Sequence, residues 1–304
     1  MSESVIETLP VASAAPRKVT RKDLTGEHST WCPGCGDFSV LALYLKLLEK
    51  RQFPQESVAN VAGIGCSSRF PYFVQTNGVH YIHGRALPFA TGISLTRPDL
   101  HVFVFGGDGD GFSIGGNHTT HTARKNVNMT YVVMDNWVYG LTKNQTSPTS
   151  PLGSKTKTDI WGSVDQPINP IKQLLAAGAT FIARTSSTNP NHLLQMMEAA
   201  VDHEGFGVIE CLSECVHFNP GSFDAASPRT NGKFELIPAS HDVTDEEAAY
   251  KLAAAPFPGY FGIFYKSSRP TKNKLEADII TAQQSKTQGK QDWEIMQASF
   301  GKMK

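Results

Sequence analysis

The chain has 304 residues, of which 40% are hydrophobic and 18% charged, enough for one large domain or two ordinary ones with a sizeable core. Its 28 basic and 28 acidic residues cancel, which argues against a nucleic-acid or anionic-membrane partner held by bulk charge. No apolar run approaches the roughly 20 residues needed to cross a bilayer. The first residues carry Glu3 and Glu7 where a secretory signal has a basic region. These features predict a cytoplasmic globular protein with reduced cysteines.

Apolar periodicity predicts alternating helices and strands. In chain order they are helix 38–48, strand 58–65, strand 101–105, helix 116–124, strand 130–134, helix 171–177, strand 180–183, helix 191–203, strand 208–211 and helix 242–255. Apolar strands that alternate with helices indicate an α/β fold with a doubly wound, mostly parallel sheet covered on both faces. In such sheets, ligands bind at the carboxyl ends of the strands.

The pattern divides the chain into three regions. Residues 1–24 mix Ser, Ala and Pro with a small basic cluster and predict an N-terminal tail. Residues 25–235 hold the α/β domain. Residues 236–304 are rich in Lys, Gln and Ser, with a late aromatic pair, and predict a C-terminal arm that packs on partner subunits.

A glycine- and aspartate-rich loop spans residues 106–111, between a predicted strand and a predicted helix. It has the close backbone approach that a phosphate needs, but neither the G-x-G-x-x-G spacing nor the P-loop pattern. Carboxylates beside a diphosphate repel it unless a hard cation lies between them, and Mg²⁺ prefers oxygen ligands. A second oxygen ligand, Asn136, follows the next strand. The two segments therefore predict a diphosphate site bridged by Mg²⁺.

The GDG segment followed by Asn136 resembles the thiamine diphosphate enzymes. The resemblance implies that Asp108 and Asn136 bind Mg²⁺ through their side chains and Val138 through its carbonyl oxygen. It also implies that the diphosphate is lined by Gly109, Asp110, Gly140 and Leu141. This sequence departs from the family pattern at Asp135, where a second Asn is usual.

The five cysteines are the second chemical signal. Cys32 and Cys35 form a CxxC turn, Cys66 follows, and Cys211 and Cys215 lie far downstream. A lone CxxC is compatible with structural zinc, a redox pair or part of an iron–sulfur cluster. Spacing alone leaves these three alternatives open.

Several motifs in order closely resemble the β subunit of 2-oxoacid:ferredoxin oxidoreductases, from about residue 25 to residue 220. They are WCPGCG at 31–36, GIGCS at 63–67, HGRA at 83–86, GDGD at 107–110 and IGGNH at 114–118. The resemblance implies a thiamine diphosphate-binding PP-type domain and a 4Fe-4S cluster held by Cys32, Cys35, Cys66 and Cys215. Cys211 then becomes a small buried apolar residue. The same resemblance places near the thiamine cofactor Ile64, Gly65, Cys66, Ser67 and His83.

In that family, thiamine diphosphate drives decarboxylation of a 2-oxoacid, the cluster passes electrons to ferredoxin, and coenzyme A takes the acyl group. One doubly wound block supplies only the diphosphate half of a thiamine site. The resemblance therefore implies an α subunit that carries the pyrimidine half and the activating Glu, in an (αβ)2 heterotetramer. Arg69 and Lys143 follow strands at the cofactor edge and could pair with a distal substrate carboxylate, which favours 2-oxoglutarate over pyruvate.

Three alternatives compete with this interpretation. A pyruvate or other 2-oxoacid:ferredoxin oxidoreductase would share every motif. Another thiamine diphosphate enzyme, a decarboxylase or carboligase, would carry both thiamine halves in a longer chain without four placed cysteines. A zinc-binding or electron-carrier module would leave Asp108 and Asn136 unexplained.

Overall fold

The computed structural model describes residues 18–287 and 289–302. The strands are β1 Val58–Ala62, β2 Asn77–His80, β3 His101–Gly107, β4 Met129–Asp135, β5 Phe181–Ser186, β6 Phe206–Leu212, β7 Glu235–Leu236 and β8 Tyr260–Lys266. The helices are α1 Arg21–Leu24, α2 Asp37–Arg51, α3 Phe70–Phe73, α4 Ala86–Thr96, α5 Gly116–Lys125, α6 Pro170–Ala176, α7 Pro190–Val201, α8 Glu246–Ala253, α9 Lys272–Thr287 and α10 Asp292–Gly301.

Within the described residues, one eight-stranded sheet has the order β2-β1-β3-β4-β6-β5-β8-β7. Its neighbours pair in parallel except β8, which runs antiparallel to β5. Strand β2 follows β1 in the chain and lies on one side of β1, whereas the next strand, β3, lies on the other side of β1. This reversal opens a crevice at the carboxyl ends of β1 and β3, which is where open α/β sheets bind ligands.

Apolar side chains cover both faces of the sheet. Helices α2 and α7 pack on one face, whereas α4, α5, α6 and α8 pack on the other. All seven residues of β4 and of β6 are buried, as expected for strands between two helical layers. The predicted doubly wound, mostly parallel α/β sheet is confirmed.

The elements differ from the sequence prediction where local signals are weak. Strand β1 ends at Ala62, before the predicted 65, because Gly63 and the positive-φ Gly65 turn away from the sheet. Helix α4 was not predicted, since a proline and a glycine interrupt its apolar pattern. Strand β2 is a short, half-exposed edge strand with little β propensity.

The chain ends differ in how they join the sheet. The first 17 residues of the predicted tail lie outside the described residues, and the next residues form α1 with a capping box at Thr20 and a fully buried Leu24. At the other end, β8 lies in the sheet beyond the predicted boundary at 235. Helices α9 and α10 follow, with Ile279 and Phe300 about three-fifths exposed at 60% and 63%. In the described part of the chain, no helix has the length and apolarity to span a membrane.

Candidate functional site

Two adjoining cavities lie at the carboxyl ends of the central strands. The first has a volume of about 190 Å³ and is lined by Ile64, Gly65, Cys66, Ser67, His83, Gly107, Asp108, Gly109, Asp110, Asn136, Val138, Tyr139, Gly140, Leu141 and Thr142. It brings together every residue that the sequence predicts for the thiamine cofactor and for Mg²⁺. The residues come from the loops that follow β1, β3 and β4 and from the segment before α4.

The second cavity has a volume of about 350 Å³ and contains the predicted cluster ligands. Its lining includes Cys32, Cys35, Cys66 and Cys215, together with Arg69 and Lys143. The two cavities share a wall formed by Cys66, Asn136, Gly140 and Leu141. A group bound in one cavity is therefore adjacent to a group bound in the other.

Asp108 and Asp135, at the ends of β3 and β4, share one hydroxyl partner. Thr149 Oγ1 lies 2.7 Å from Asp108 Oδ2 and 2.8 Å from Asp135 Oδ1, although its single proton can be donated to only one of them. Burial raises the pKa of both carboxyl groups, and the charge of Asp108 raises that of Asp135 further. Among the described residues, Asp135 Oδ2 has no hydrogen-bond partner although it is buried. Of the two carboxylates, Asp108 lines the first cavity, whereas Asp135 lines a separate one.

The Asp110 carboxylate holds two loops together. Its Oδ1 accepts hydrogen bonds from the backbone N–H groups of Ile64 at 3.0 Å and Gly84 at 2.8 Å, and from Nδ1 of His83 at 2.9 Å. A Cβ atom at Gly63 would lie 2.2 Å from this oxygen, so the close approach requires glycine there. Asp110 thus lines the first cavity, and its Oδ1 already accepts hydrogen bonds from three donors.

The loop after β4 is shaped by a left-handed residue, Trp137, with φ 58°. Its bend lets Asn136 Oδ1 accept a hydrogen bond of 3.1 Å from the backbone N–H of Val138. The next residue, Tyr139, lies over Gly109, where a Cβ atom would lie 2.0 Å from the ring. Only glycine at 109 lets the two loops meet, which keeps the first cavity narrow.

The CxxC turn closes the second cavity. The backbone N–H of Cys35 donates to the carbonyl of Cys32 at 3.0 Å, and Gly34 between them has φ 88°, which favours glycine. The indole N–H of Trp31 donates to the carbonyl of Cys66 at 2.6 Å. This hydrogen bond fixes the turn against the loop after β1.

A second attachment joins the turn to the segment after β6, which carries Cys215. The Ser213 hydroxyl donates to Asp37 Oδ1 at 2.6 Å, and the N–H of Gly36 donates to the carbonyl of Glu214 at 3.3 Å. Segments far apart in sequence therefore present their cysteines to one space. Glu214 contributes its backbone carbonyl to this contact.

Burial makes the thiols of Cys35 and Cys66 difficult to ionise on their own. Desolvation, followed by the nearby Asp37 carboxylate, raises the pKa of the Cys35 thiol far above its usual range and that of Cys66 to about 11. Burial also raises the pKa of Asp37 to about 6. A positive centre beside Cys35 and Cys66 would favour their thiolate forms.

Cys211 lies apart from the other four cysteines. It belongs to β6, is completely buried, and packs in the core beneath α2 and α7.

The sulfurs of Cys215 and Cys66 both lie close to Gly140. A Cβ atom at Gly140 would lie 3.5 Å from the sulfur of Cys215 and 3.8 Å from that of Cys66. In residues 18–287 and 289–302, no three His, Cys, Asp or Glu side chains are close enough to hold one metal ion.

Arg69 and Lys143 line the cysteine cavity, not the first cavity. Arg69 is partly buried in the turn after Cys66, and Lys143 is exposed with φ 78° just after the shared wall.

Comparisons with known proteins agree with this geometry. Residues 63–211 match the thiamine pyrophosphate enzyme C-terminal TPP-binding domain. The "2-oxoglutarate synthase subunit KorB" of Methanocaldococcus jannaschii is 38% identical over 233 residues, which cover 75% of this chain and 86% of the relative. This chain therefore belongs to the 2-oxoacid:ferredoxin oxidoreductase β-subunit family.

A solved family structure extends the match beyond the central domain. It is described as 2-oxoglutarate:ferredoxin oxidoreductase from Magnetococcus marinus with 2-oxoglutarate, coenzyme A and succinyl-CoA bound. It superposes with a TM-score of 0.85 at 41% identity and covers 92% of this β subunit and 95% of that chain. The predicted family and the thiamine-binding domain are thus confirmed.

Some relatives are longer than the region they share with this β subunit. The "2-oxoglutarate oxidoreductase subunit KorB" of Mycobacterium tuberculosis is 47% identical over 67% of this chain, but only 55% of its own length is matched. The "2-oxoacid:ferredoxin oxidoreductase 1, subunit beta" of Aeropyrum pernix is 45% identical over 63% of this chain and 60% of its own length. The chain aligns with somewhat more than half the length of these two relatives.

Sequence reasoning missed three residues of the β-subunit site. Thr149 approaches Asp108 from a long loop that carries no recognisable pattern, and Tyr139 looks like an ordinary loop aromatic. Asp37 precedes the predicted helix 38–48, but it is the first residue of α2 and accepts a hydrogen bond from the Ser213 hydroxyl. An acidic residue two positions after the CxxC was the available signal for Asp37.

Proposed function

We propose that this β subunit belongs to a cytoplasmic 2-oxoglutarate:ferredoxin oxidoreductase. The complex converts 2-oxoglutarate and coenzyme A to succinyl-CoA and CO2, or runs the reverse reaction, and exchanges electrons with ferredoxin. The observation that carries the proposal is the shared wall between a cavity lined by the GDGD loop and a cavity lined by four cysteines. The bound molecules named for the Magnetococcus relative support the choice of substrates.

The residues of the first cavity fit magnesium and a diphosphate. Asp108, Asn136 and the carbonyl of Val138 would hold the ion, and Gly109 and Gly140 line the same cavity, in which we place the diphosphate. The buried carboxylate of Asp108 lines this cavity and supports a cation there. When bound, thiamine diphosphate supplies a nucleophilic carbon and an electron sink for decarboxylation.

The residues of the second cavity fit a 4Fe-4S cluster. Cys32, Cys35, Cys66 and Cys215 line one space. A 4Fe-4S cluster takes four thiolate ligands, one on each iron. When bound, the cluster supplies one-electron transfer between the thiamine site and ferredoxin.

An α subunit would complete the active site in an (αβ)2 assembly. Apolar side chains are exposed beside His83, with Ile82 at 61% and Ile114 at 53% exposure. Such surface next to an open cofactor cavity supports a protein partner that covers it. In our proposal, this partner carries the pyrimidine half of the thiamine site and its activating Glu.

Arg69 and Lys143 are proposed to bind the distal carboxylate of 2-oxoglutarate. Removing a cation that pairs with a buried carboxylate costs about 2–5 kcal/mol. Arg69→Ala or Lys143→Ala should therefore lower kcat/KM for 2-oxoglutarate at least about tenfold while largely sparing 2-oxobutyrate, which lacks that carboxylate. Lys46→Ala, on the exposed face of α2, is the matched control. Equal losses on both substrates would exclude this role.

Metal analysis and a substrate panel test the whole proposal. The chain purified with its α subunit should contain about four iron and four sulfide per β subunit. It should reduce ferredoxin with 2-oxoglutarate and coenzyme A faster than with pyruvate. One zinc per chain and no iron would refute the cluster, and a preference for pyruvate would refute the substrate.

A further inference from the structure

A short segment of hydroxyl-bearing residues contacts both loops that carry the proposed magnesium ligands. It comprises residues 147–150, Ser-Pro-Thr-Ser, and we call it the SPTS segment. Thr149 Oγ1 lies 2.7 Å from Oδ2 of Asp108, which follows β3. The Ser150 hydroxyl donates to the carbonyl of Trp137, in the loop after β4, at 2.6 Å. The two loops are therefore attached to a single segment.

Hydrogen bonds within the SPTS segment hold its hydroxyl groups in place. The N–H of Ser147 donates to Ser150 Oγ at 2.8 Å, and the Oγ atoms of these two serines lie 3.1 Å apart. The carbonyl of Pro148 accepts a hydrogen bond of 2.8 Å from the N–H of Ile168, just before α6. Ser147, Thr149 and Ser150 are all buried. Burial removes water as a competing partner, so the hydroxyl groups remain directed at the two loops.

The Asp108 carboxylate receives two side chains of this segment. Ser147 and Thr149 both form hydrogen bonds with it, and these oppose the rise in its pKa that burial causes. A carboxylate held by two neighbouring hydroxyl groups has its orientation set by the fold before any ion binds. The energy of ordering this side chain is then spent in folding and not in metal binding.

We propose that Thr149 is a positioning residue for magnesium, which fixes the Asp108 carboxylate while Ser150 fixes the loop that carries Asn136 and Val138. This inference rests on the proposed magnesium and thiamine diphosphate site. Mg²⁺ demands a near-ideal octahedron with short bonds, whereas Ca²⁺ accepts more ligands in a flexible arrangement. Prearranged ligands therefore favour Mg²⁺ over Ca²⁺, and loss of the arrangement costs Mg²⁺ more.

The dependence of cofactor binding on each ion tests this role. The αβ complex, freed of metal and cofactor, is dialysed to equilibrium against thiamine diphosphate and increasing Mg²⁺ or Ca²⁺, and the bound cofactor is assayed as thiochrome. Thr149→Val keeps the shape of the side chain but lacks the hydroxyl. It should raise the half-saturating Mg²⁺ concentration at least about tenfold, because groups that orient metal ligands contribute 10–100-fold. The half-saturating Ca²⁺ concentration should rise by a smaller factor.

Conservative and control variants separate positioning from a general loosening of the loop. Thr149→Ser keeps the hydroxyl and should restore the preference for Mg²⁺ over Ca²⁺. Thr146→Val removes a hydroxyl from the same loop, but Thr146 is hydrogen-bonded to Thr156 and Asp159 and not to the metal-binding loops, so it should behave like wild type. Equal losses in Thr146→Val and Thr149→Val would overturn the inference. So would a loss in Thr149→Val that is the same for both ions.

Ser150→Ala tests the second attachment and does not depend on the folding of Thr149→Val. It cuts the hydrogen bond to the Trp137 carbonyl and should also lower the preference for Mg²⁺ over Ca²⁺. If the wild-type complex binds no thiamine diphosphate with either ion, the proposed function fails. If it binds the cofactor, and Thr149→Val and Ser150→Ala keep the wild-type preference, this inference alone is wrong.

Discussion

Cys215→Ser is expected to remove the 4Fe-4S cluster and to abolish ferredoxin reduction, whereas Cys211→Ser is expected to preserve both. Cys215 lines the same cavity as Cys32, Cys35 and Cys66, while Cys211 is fully buried in β6. Loss of one thiolate opens an iron to water and to oxidative loss. The same outcome is expected when serine replaces any of the other three cavity cysteines.

Visible absorbance and iron content of the anaerobically purified complex provide the measurement. Cys211→Ser is a matched control because it makes the same chemical change at a neighbouring position. It places a hydroxyl in the core, which costs about 1–3 kcal/mol, so its unfolding temperature should fall although its iron content does not. A bleached Cys211→Ser protein beside a brown Cys215→Ser protein would reverse the assignment of the fourth ligand.

Asp108→Ala is expected to weaken thiamine diphosphate binding at least about 100-fold, because even residues that only support a metal ligand contribute 10–100-fold. The carboxylate would be lost from the proposed magnesium ion, and the diphosphate would face Asp110 without that cation. A ligand at 100 times its dissociation constant stabilises a protein by about 2.7 kcal/mol. The rise in unfolding temperature that wild type shows with cofactor and Mg²⁺ should therefore disappear in the variant.

Without cofactor, the effect of Asp108→Ala on the stability of the protein should have the opposite sign. Burial raises the pKa of Asp108, so its ionised form destabilises the folded chain at pH values above the ordinary carboxyl range. Removing the group should leave the apo protein as stable as wild type or more stable at neutral pH. Asp99→Ala, a surface carboxyl paired with Arg97, should retain the full cofactor-induced shift. Normal cofactor affinity in Asp108→Ala would rule out the proposed metal site.

Part of the site could be predicted because parallel strands end at one edge of a sheet. The segments at Cys66, Asp108 and Asn136 each follow a strand, so recognising three strands was enough to place them together. Glycines were also informative. The GDG loop and the CxxC turn need backbone conformations and close backbone contacts that residues with a Cβ atom do not readily allow. Resemblance to the family then selected the cysteine set that spacing alone left open.

Other contacts carried no local signal. Thr149 reaches Asp108 from a loop 41 residues away, and a threonine in such a loop has no pattern that points to a buried carboxylate. Strand β8 pairs antiparallel with β5 although its sequence lies in a region that looked like a separate arm. Strand pairing depends on which edge remains open after the rest of the sheet has formed, which a local window does not contain.

The amino-acid sequence by itself determined the α/β class, the order of the central elements, and which residue types could carry the chemistry, since apolar periodicity and motif order are local properties of the chain. Only the tertiary structure decided that the GDGD loop and the four cysteines line adjoining cavities with a common wall. It likewise decided that the Asp110 carboxylate accepts hydrogen bonds from the two segments that carry Ile64 and His83. These relations arise from the packing of loops distant in sequence, where burial and shared hydrogen bonds act on groups that the chain order keeps apart.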